Sequence, residues 1–266
     1  MLTVHSTVGW TAMKRSTFLA LALLIALAIV CGVMVQRDLK KAKVASDSFS
    51  ELSEIVHPEE SPSQDQKDES EEDVVPTPVA VKDFTSLAES NEDCIAWLTI
   101  TGTCVDYPVM HTPSAPEKYL HLNFYGQYSD YGVPFLDGHN TMEDDNLVIF
   151  GHNMNDGSMF GSLKYFLRRS YLETYPYIDV TTADGQRCYE VFAVALATKT
   201  DDWYNFHRSI DADDYDYAVD CILKKAQLTR GDRPDYPSQI LTLSTCHGSS
   251  RDGRLLILAK EVDLCP

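Results

Sequence analysis

The chain has 266 residues, 44% of them hydrophobic and 23% charged, which is enough for one sizeable core and far from the composition of a disordered or fibrous protein. Its 22 basic against 40 acidic side chains give a net charge of −18, and residues 84–266 alone hold 14 basic and 27 acidic ones. A field of that sign repels phosphate backbones and anionic head groups, which argues against nucleic acid as the main partner and disfavours binding to anionic lipid through that part of the chain.

Residues 1–16 read as a short cytoplasmic N-terminus. From Thr17 to Val35 the chain runs nineteen residues without a charge, and at about 1.5 Å per residue this nearly crosses a hydrocarbon core of roughly 30 Å, so 17–35 reads as a transmembrane helix. The run is too long for the apolar region of a cleaved signal peptide, about 7–15 residues, and lacks an A-x-A-like end. Lys14 and Arg15 precede it and Arg37, Lys40, Lys41 and Lys43 follow it, a count that by itself places the C-terminal side in the cytoplasm. Residues 36–83, rich in Ser, Glu, Asp and Pro from 44 onward and without apolar periodicity, read as an acidic, disordered stalk.

The globular domain is expected over 84–266. Ser86 with Glu89 predicts a capping box for a short helix, and Ile95–Ile100 predicts a strand. Further strands are predicted at Asn146–Phe150, Tyr177–Thr182, Arg187–Thr198, Gln239–Thr245 and Arg254–Val262, with Ala183-Asp184-Gly185-Gln186 as a hairpin turn. One helix is predicted from Ser158, with Met159, Leu163, Phe166 and Leu167 on one face. Another is predicted over Asp211–Leu228, where Tyr215, Val219, Ile222, Leu223 and Ala226 recur at helical spacing and the acidic run from Asp211 to Asp214 reads as its cap. Strands of this length need their edges paired or covered, so the fold class is mostly β with helical insertions, closed or nearly closed.

None of the seven cysteines forms a CxxC pair or a Cys/His spacing suited to zinc, so no metal and no cofactor are expected. Their odd, scattered count does not read as a disulfide framework, and spacing leaves a Cys94–Cys104 bridge open. Cys246 differs from the others. It ends the run Ile240-Leu241-Thr242-Leu243-Ser244-Thr245 and precedes a polar loop, so its thiol is expected at a strand's exit, within reach of solvent and of Arg251 or Arg254. Arg254 opens the next strand eight residues on, and in a hairpin it would face Cys246. A guanidinium there supplies fixed donors for an oxygen gaining charge in acyl transfer, a role that spacing leaves open between Arg251 and Arg254. A thiol nucleophile also needs a proton partner, for which His152, at the exit of Asn146–Phe150, and the loop residues His139 and His247 are candidates.

Thr242-Leu243-Ser244-Thr245-Cys246 resembles the TLxTC signature of sortases, with Arg254 falling where that family's arginine should be. Ile149-Phe150-Gly151-His152-Asn153-Met154 followed by Asp156-Gly157-Ser158-Met159-Phe160 is similar to the block around the histidine of class B sortases. Trp97-Leu98, Asp106-Tyr107-Pro108-Val109, Tyr119-Leu120, Asn123-Phe124-Tyr125-Gly126 and Phe135-Leu136-Asp137 match class B landmarks in order, so the resemblance covers about 84–263. Phe150 departs from the usual tyrosine, and His247 directly after the cysteine is unexpected. The resemblance implies a closed β-barrel with an N-terminal helix and a helix in the long loop before the cysteine strand. It further implies a membrane-anchored cysteine transpeptidase, with its catalytic domain extracellular despite the charge count. Cys246 would cleave an NPxTx- or LPxTG-like C-terminal sorting motif of surface proteins after Thr through a thioacyl-enzyme, and a cell-wall peptide amine would resolve it. His152 would exchange the protons, Arg254 would hold the oxyanion, and Leu120, Ser244 and Thr245 would line the substrate groove. The alternatives are a pilin-polymerising sortase or a non-catalytic surface binding module of the same shape. A papain-like hydrolase is disfavoured because its cysteine precedes its histidine and sits at a helix N-terminus.

Overall fold

The structure is a computed structural model that describes residues 8–56 and 84–263. The chain divides into two units, one ending at Ser48 and one beginning at Phe49. The first holds most of helix α1 (Val8–Val56), which is long and apolar enough to cross a membrane. Its large apolar side chains from Leu19 to Val35 are exposed, and a helix that is apolar on every side buries itself only in lipid or against partners. α1 is therefore compatible with a single-pass membrane anchor.

The last two turns of α1 belong to the second unit. Phe49, Leu52 and Val56, spaced at i, i+3 and i+7, are buried there; Phe49 meets the Tyr107 ring edge-on at 5.1 Å, and Ser53 Oγ donates to Asp106 Oδ2 at 2.6 Å. The expectation of a disordered stalk over 36–83 is thus corrected up to Val56, where the chain is helical. Three apolar residues at helical spacing, diluted among Ser, Asp and Glu, do not register in a reading of average composition. The rest of the expected stalk, 57–83, lies outside the described residues. Helix α2 (Phe84–Ser90) buries Phe84 and Leu87; it begins at Phe84, so Ser86 lies inside it and not at the cap expected from its pairing with Glu89.

Nine strands follow among the described residues. They are β1 (Cys94–Thr99), β2 (Asp106–Met110), β3 (Phe135–Leu136), β4 (Asn146–Phe150), β5 (Tyr177–Thr182), β6 (Gly185–Thr198), β7 (Ala226–Thr229), β8 (Ile240–Cys246) and β9 (Gly253–Val262). Eight of them close a barrel in the order β5-β1-β2-β3-β4-β8-β9-β6, with β6 pairing back to β5 and β7 added to β6 outside the ring. The length of β6 makes this possible: residues 185–190 pair with β5 across the predicted hairpin turn, whereas residues 188–198 pair with β9. Closure pairs β6, β8 and β9, the longest of the described strands, on both sides. The interior is filled by alternate residues such as Trp97, Leu147, Ile149, Leu241, Leu243, Leu255 and Ile257, all buried.

α3 (Arg169–Thr174) follows a 3-10 turn over Gly161–Leu167. The helix predicted from Ser158 starts later because Met159 sits at φ 50 and bridges Asn153, a left-handed backbone that no helix continues through. α4 (Ala212–Leu223) lies in the long connection between β6 and β8, capped by Asp211, whose carboxylate accepts from the Asp214 N–H at 3.0 Å. Its Tyr215, Val219 and Ile222 pack with Trp203 on Ala193, Ala195, Ile240, Leu256 and Leu258, covering one outer face of the barrel. The predicted extension to Leu228 is corrected: Ala226–Thr229 is β7, because pairing of Leu228 with Val194 outweighs the helical spacing of Ala226.

Candidate functional site

β4 and β8 lie side by side and parallel, with Phe150 in register with Ser244. Both strands therefore exit at the same rim of the barrel, where Gly151-His152-Asn153, which follow β4, neighbour Cys246 at the end of β8 although His152 and Cys246 are 94 positions apart. Three hydrogen bonds lock this adjacency: Gly151 N–H to Ser244 O at 3.1 Å, Thr245 Oγ1 to Gly151 O at 2.7 Å, and Asn153 Nδ2 to Cys246 O at 2.8 Å.

The hydroxyls in the buried end of β8 each have a partner, as burial of a polar group requires. Thr242 Oγ1 accepts from the Trp203 indole at 3.1 Å and donates to Asn146 Oδ1 at 2.7 Å. Ser244 Oγ shares a 2.7 Å hydrogen bond with the Tyr204 hydroxyl, and Thr245 reaches Gly151. Against this buried run Cys246 is exposed, with a free thiol. A strand held rigidly to its penultimate residue and then opening to solvent presents a side chain in a fixed place.

Across the β8–β9 hairpin, Cys246 pairs directly with Arg254. Arg254 Nη1 donates to the carbonyls of Arg251 and Gly253 at 3.0 and 2.9 Å, which turns the guanidinium along the mouth of the hairpin. Arg251 itself lies in the exposed tip, so the pairing separates the two arginines that spacing left equivalent. The histidines separate as well. His139 belongs to the opposite end of the barrel, where Asn140 Nδ2 bonds Asn146 O at the start of β4; His247 is in the hairpin loop, its N–H bonded to Gly253 O at 3.0 Å. His152, half-buried, places Nε2 2.7 Å from Leu120 O and its ring 5.5 Å from that of His121. The structure thus brings Cys246, Arg254, His152 and the Leu120 backbone to one rim, with Ser244 and Thr245 buried directly beneath. Cys94 and Cys104 are both free, which closes the disulfide the spacing had left open, and Cys188 is disulfide-bonded.

Further residues support the rim, and Tyr204 among them is not singled out from the sequence. Tyr204, in a short turn after β6, stacks on Phe150 at 5.8 Å. Burial, opposed by the Ser244 hydrogen bond and by the nearby Arg254 guanidinium, pushes its phenol up to about 12, so at neutral pH it remains a hydroxyl. No motif in the sequence marks it; only the fold carries the long connection back over β8. Asp156 braces the loop after His152. Burial raises its carboxyl, but hydrogen bonds from the Ser158 hydroxyl and N–H and from the Tyr131 hydroxyl outweigh that and hold it below the usual range. Tyr107, from β2, accepts the Met159 N–H at 3.1 Å and fixes the left-handed residue at the loop's end.

Comparison with known proteins finds the same architecture. The family model for the sortase domain matches residues 98–262. Sortase B of Listeria monocytogenes is 33% identical over 187 residues, covering 68% of this chain and 74% of that protein. Among solved structures, sortase B from B. anthracis superposes with a TM-score of 0.69 at 25% identity, covering 84% of this chain and 99% of that one. A Staphylococcus aureus sortase B–substrate complex gives 0.63 at 26% identity over 68% and 85% of the two chains.

Proposed function

This chain belongs to the sortase family as a class B cysteine transpeptidase, and from that membership we propose that it cleaves a C-terminal sorting motif of the NPxTx or LPxTG kind and joins the threonyl carbonyl to a cell-wall peptide amine. The carrying observation is the pairing of Cys246 with Arg254 across β8 and β9, beside a His152 loop hydrogen-bonded to the Cys246 carbonyl. In this reading the Cys246 thiolate attacks the threonyl carbonyl, and the Arg254 guanidinium stabilises the oxygen as it gains charge. His152 protonates the leaving amine, which departs with the downstream peptide and leaves a thioester. The incoming amine then gives a proton to His152 as it displaces sulfur.

Leu120 lines the substrate groove, and Ser244 and Thr245 form its floor, Ser244 through Tyr204 and Thr245 by fixing the Gly151 backbone. α1 spans the cell membrane once and displays the catalytic domain outside, where tethering raises its effective concentration near membrane-bound clients. The test is to incubate the full chain in detergent with NPxTx- and LPxTG-bearing peptides and candidate amines, and to weigh the products. A threonyl–amine conjugate that disappears with Cys246→Ala supports the proposal. Formation of the free acid alone, or of conjugate by the Cys246→Ala variant, refutes it.

A further inference from the structure

We propose that the Leu120 carbonyl, seated by Gly132, is a positioning group that fixes the tautomer of His152, so that Nδ1 is the atom that exchanges protons during acyl transfer. The inference rests on the reading of His152 as the acid–base residue. A carbonyl oxygen only accepts hydrogen bonds, so the 2.7 Å contact requires a proton on Nε2. Among the described residues Nδ1 has no hydrogen-bond partner. In the neutral ring it carries the lone pair, takes the proton from the attacking amine, and delivers it to the leaving amine as the C–N bond breaks. Nε2 keeps its proton on Leu120 O throughout, and the positive charge formed in between is shared with that carbonyl.

The carbonyl is held from several sides. Leu120 ends a short 3-10 turn, Lys118–Leu120, whose buried Tyr119 donates to Asp93 Oδ2 at 2.8 Å and accepts from Asn91 Nδ2 at 2.9 Å. Val133 N–H bonds Tyr119 O at 3.0 Å, bringing the return segment of the loop against the turn. At that crossing stands Gly132, with φ +59, where an added Cβ would come within 2.5 Å of Leu120 O and 2.6 Å of Tyr119 O. The absence of a side chain at 132 is therefore what lets the carbonyl sit where His152 meets it. The adjacent Tyr131 hydroxyl, bonded to Asp156 at 3.0 Å, ties the same segment to the loop that carries His152. The two loops are thus braced against each other as well as joined through the imidazole.

The experiment uses the full chain in detergent micelles, labelled with 15N-histidine, with His152 assigned from the signal lost in His152→Gln. Long-range proton–nitrogen spectra are taken at a pH about 1.5 units above the ordinary imidazole value of about 6.5. The expected pattern is that of the Nε2–H tautomer; an Nδ1–H pattern, or an even mixture, overturns the inference. Gly132→Ala is expected to lower kcat about 10²-fold, the cost of a misplacement near 1 Å, with KM changed less than about twofold, and to move the nitrogen pattern toward a mixture. An unchanged kcat, or a loss of kcat with the pattern intact, also overturns it. Should that variant fail to fold, the spectrum of the parent still decides. His152→Ala separates the two levels: turnover retained by it removes the acid–base reading itself, whereas an inactive His152→Ala beside an Nδ1–H parent removes only the role of the Leu120 carbonyl.

Discussion

Thr242 is the point at which stability and site geometry are most closely joined, and Thr242→Val tests it. The hydroxyl is fully buried between the Trp203 indole and Asn146 Oδ1, 3.1 and 2.7 Å away, and both partners are buried too. Valine keeps the shape and leaves an indole N–H and an amide oxygen unmet, at about 1–3 kcal/mol each. The added methyl returns about 1 kcal/mol of burial, so the expected loss is about 3 kcal/mol, within a range of about 1–5. For a domain of this size each kcal/mol moves Tm by about 2–4 °C, which predicts a fall of about 6–12 °C. Thr242→Ser is the control: it keeps both hydrogen bonds and gives up one methyl, for about 1 kcal/mol. Thermal unfolding of the full chain in detergent, followed by near-ultraviolet circular dichroism of the tryptophans, ranks the variants. A serine variant less stable than the valine one would show that packing, not hydrogen bonding, holds this strand, and the account of the hydroxyls in β8 would fall.

Three further outcomes follow from the same geometry. Arg254→Lys should lower kcat by about 10²–10³-fold, because an ammonium cannot reproduce the planar fork of donors opposite Cys246; initial rates of conjugate formation within about threefold of the parent would contradict this. Asp156→Asn should lower Tm by an amount that depends on pH. The Asp156 carboxyl is held below its ordinary value in the folded chain, so its contribution is complete above the ordinary aspartate value and is lost as pH falls through the folded one. The difference between parent and variant should stay constant near neutrality and close only below about pH 4; a difference that closes near neutral pH would assign it to another group. Leu52→Ala, at a side chain 1% exposed, should cost about 2–5 kcal/mol in thermal unfolding, and an unchanged Tm would mean that the end of α1 does not form part of the domain core.

Much of the barrel is legible because its strands are long, apolar and closed by turn residues. β4 and β5 appear with the bounds that pattern predicts, and β6, β8 and β9 differ by a residue or two at their ends. What escapes are the elements defined by a partner and not by their own sequence. β3 has only two residues and exists because Phe135 and Leu136 sit between β2 and β4. β7 reads as helix until β6 is there to pair with it. The end of α1 looks like stalk until the Tyr107 ring gives Phe49 a partner and Asp106 accepts from Ser53.

The site divides in the same way, between what a motif carries and what topology adds. Eight residues separate Cys246 from Arg254, and a hairpin makes them partners, so that contact follows from local sequence once the turn is granted. No spacing links either of them to His152, which reaches the rim only because β4 and β8 run parallel and in register, an arrangement that requires the whole connection from α3 through α4 to pass round the barrel. Tyr204 and the Leu120 carbonyl are further removed still. The first is one of 14 tyrosines and acquires meaning only where Ser244 and Arg254 converge on it; the second is a backbone atom, and no residue type announces it. The sequence does hold one trace of that carbonyl, the glycine at 132 where a side chain would collide with it, but a glycine records that room is needed without saying for what.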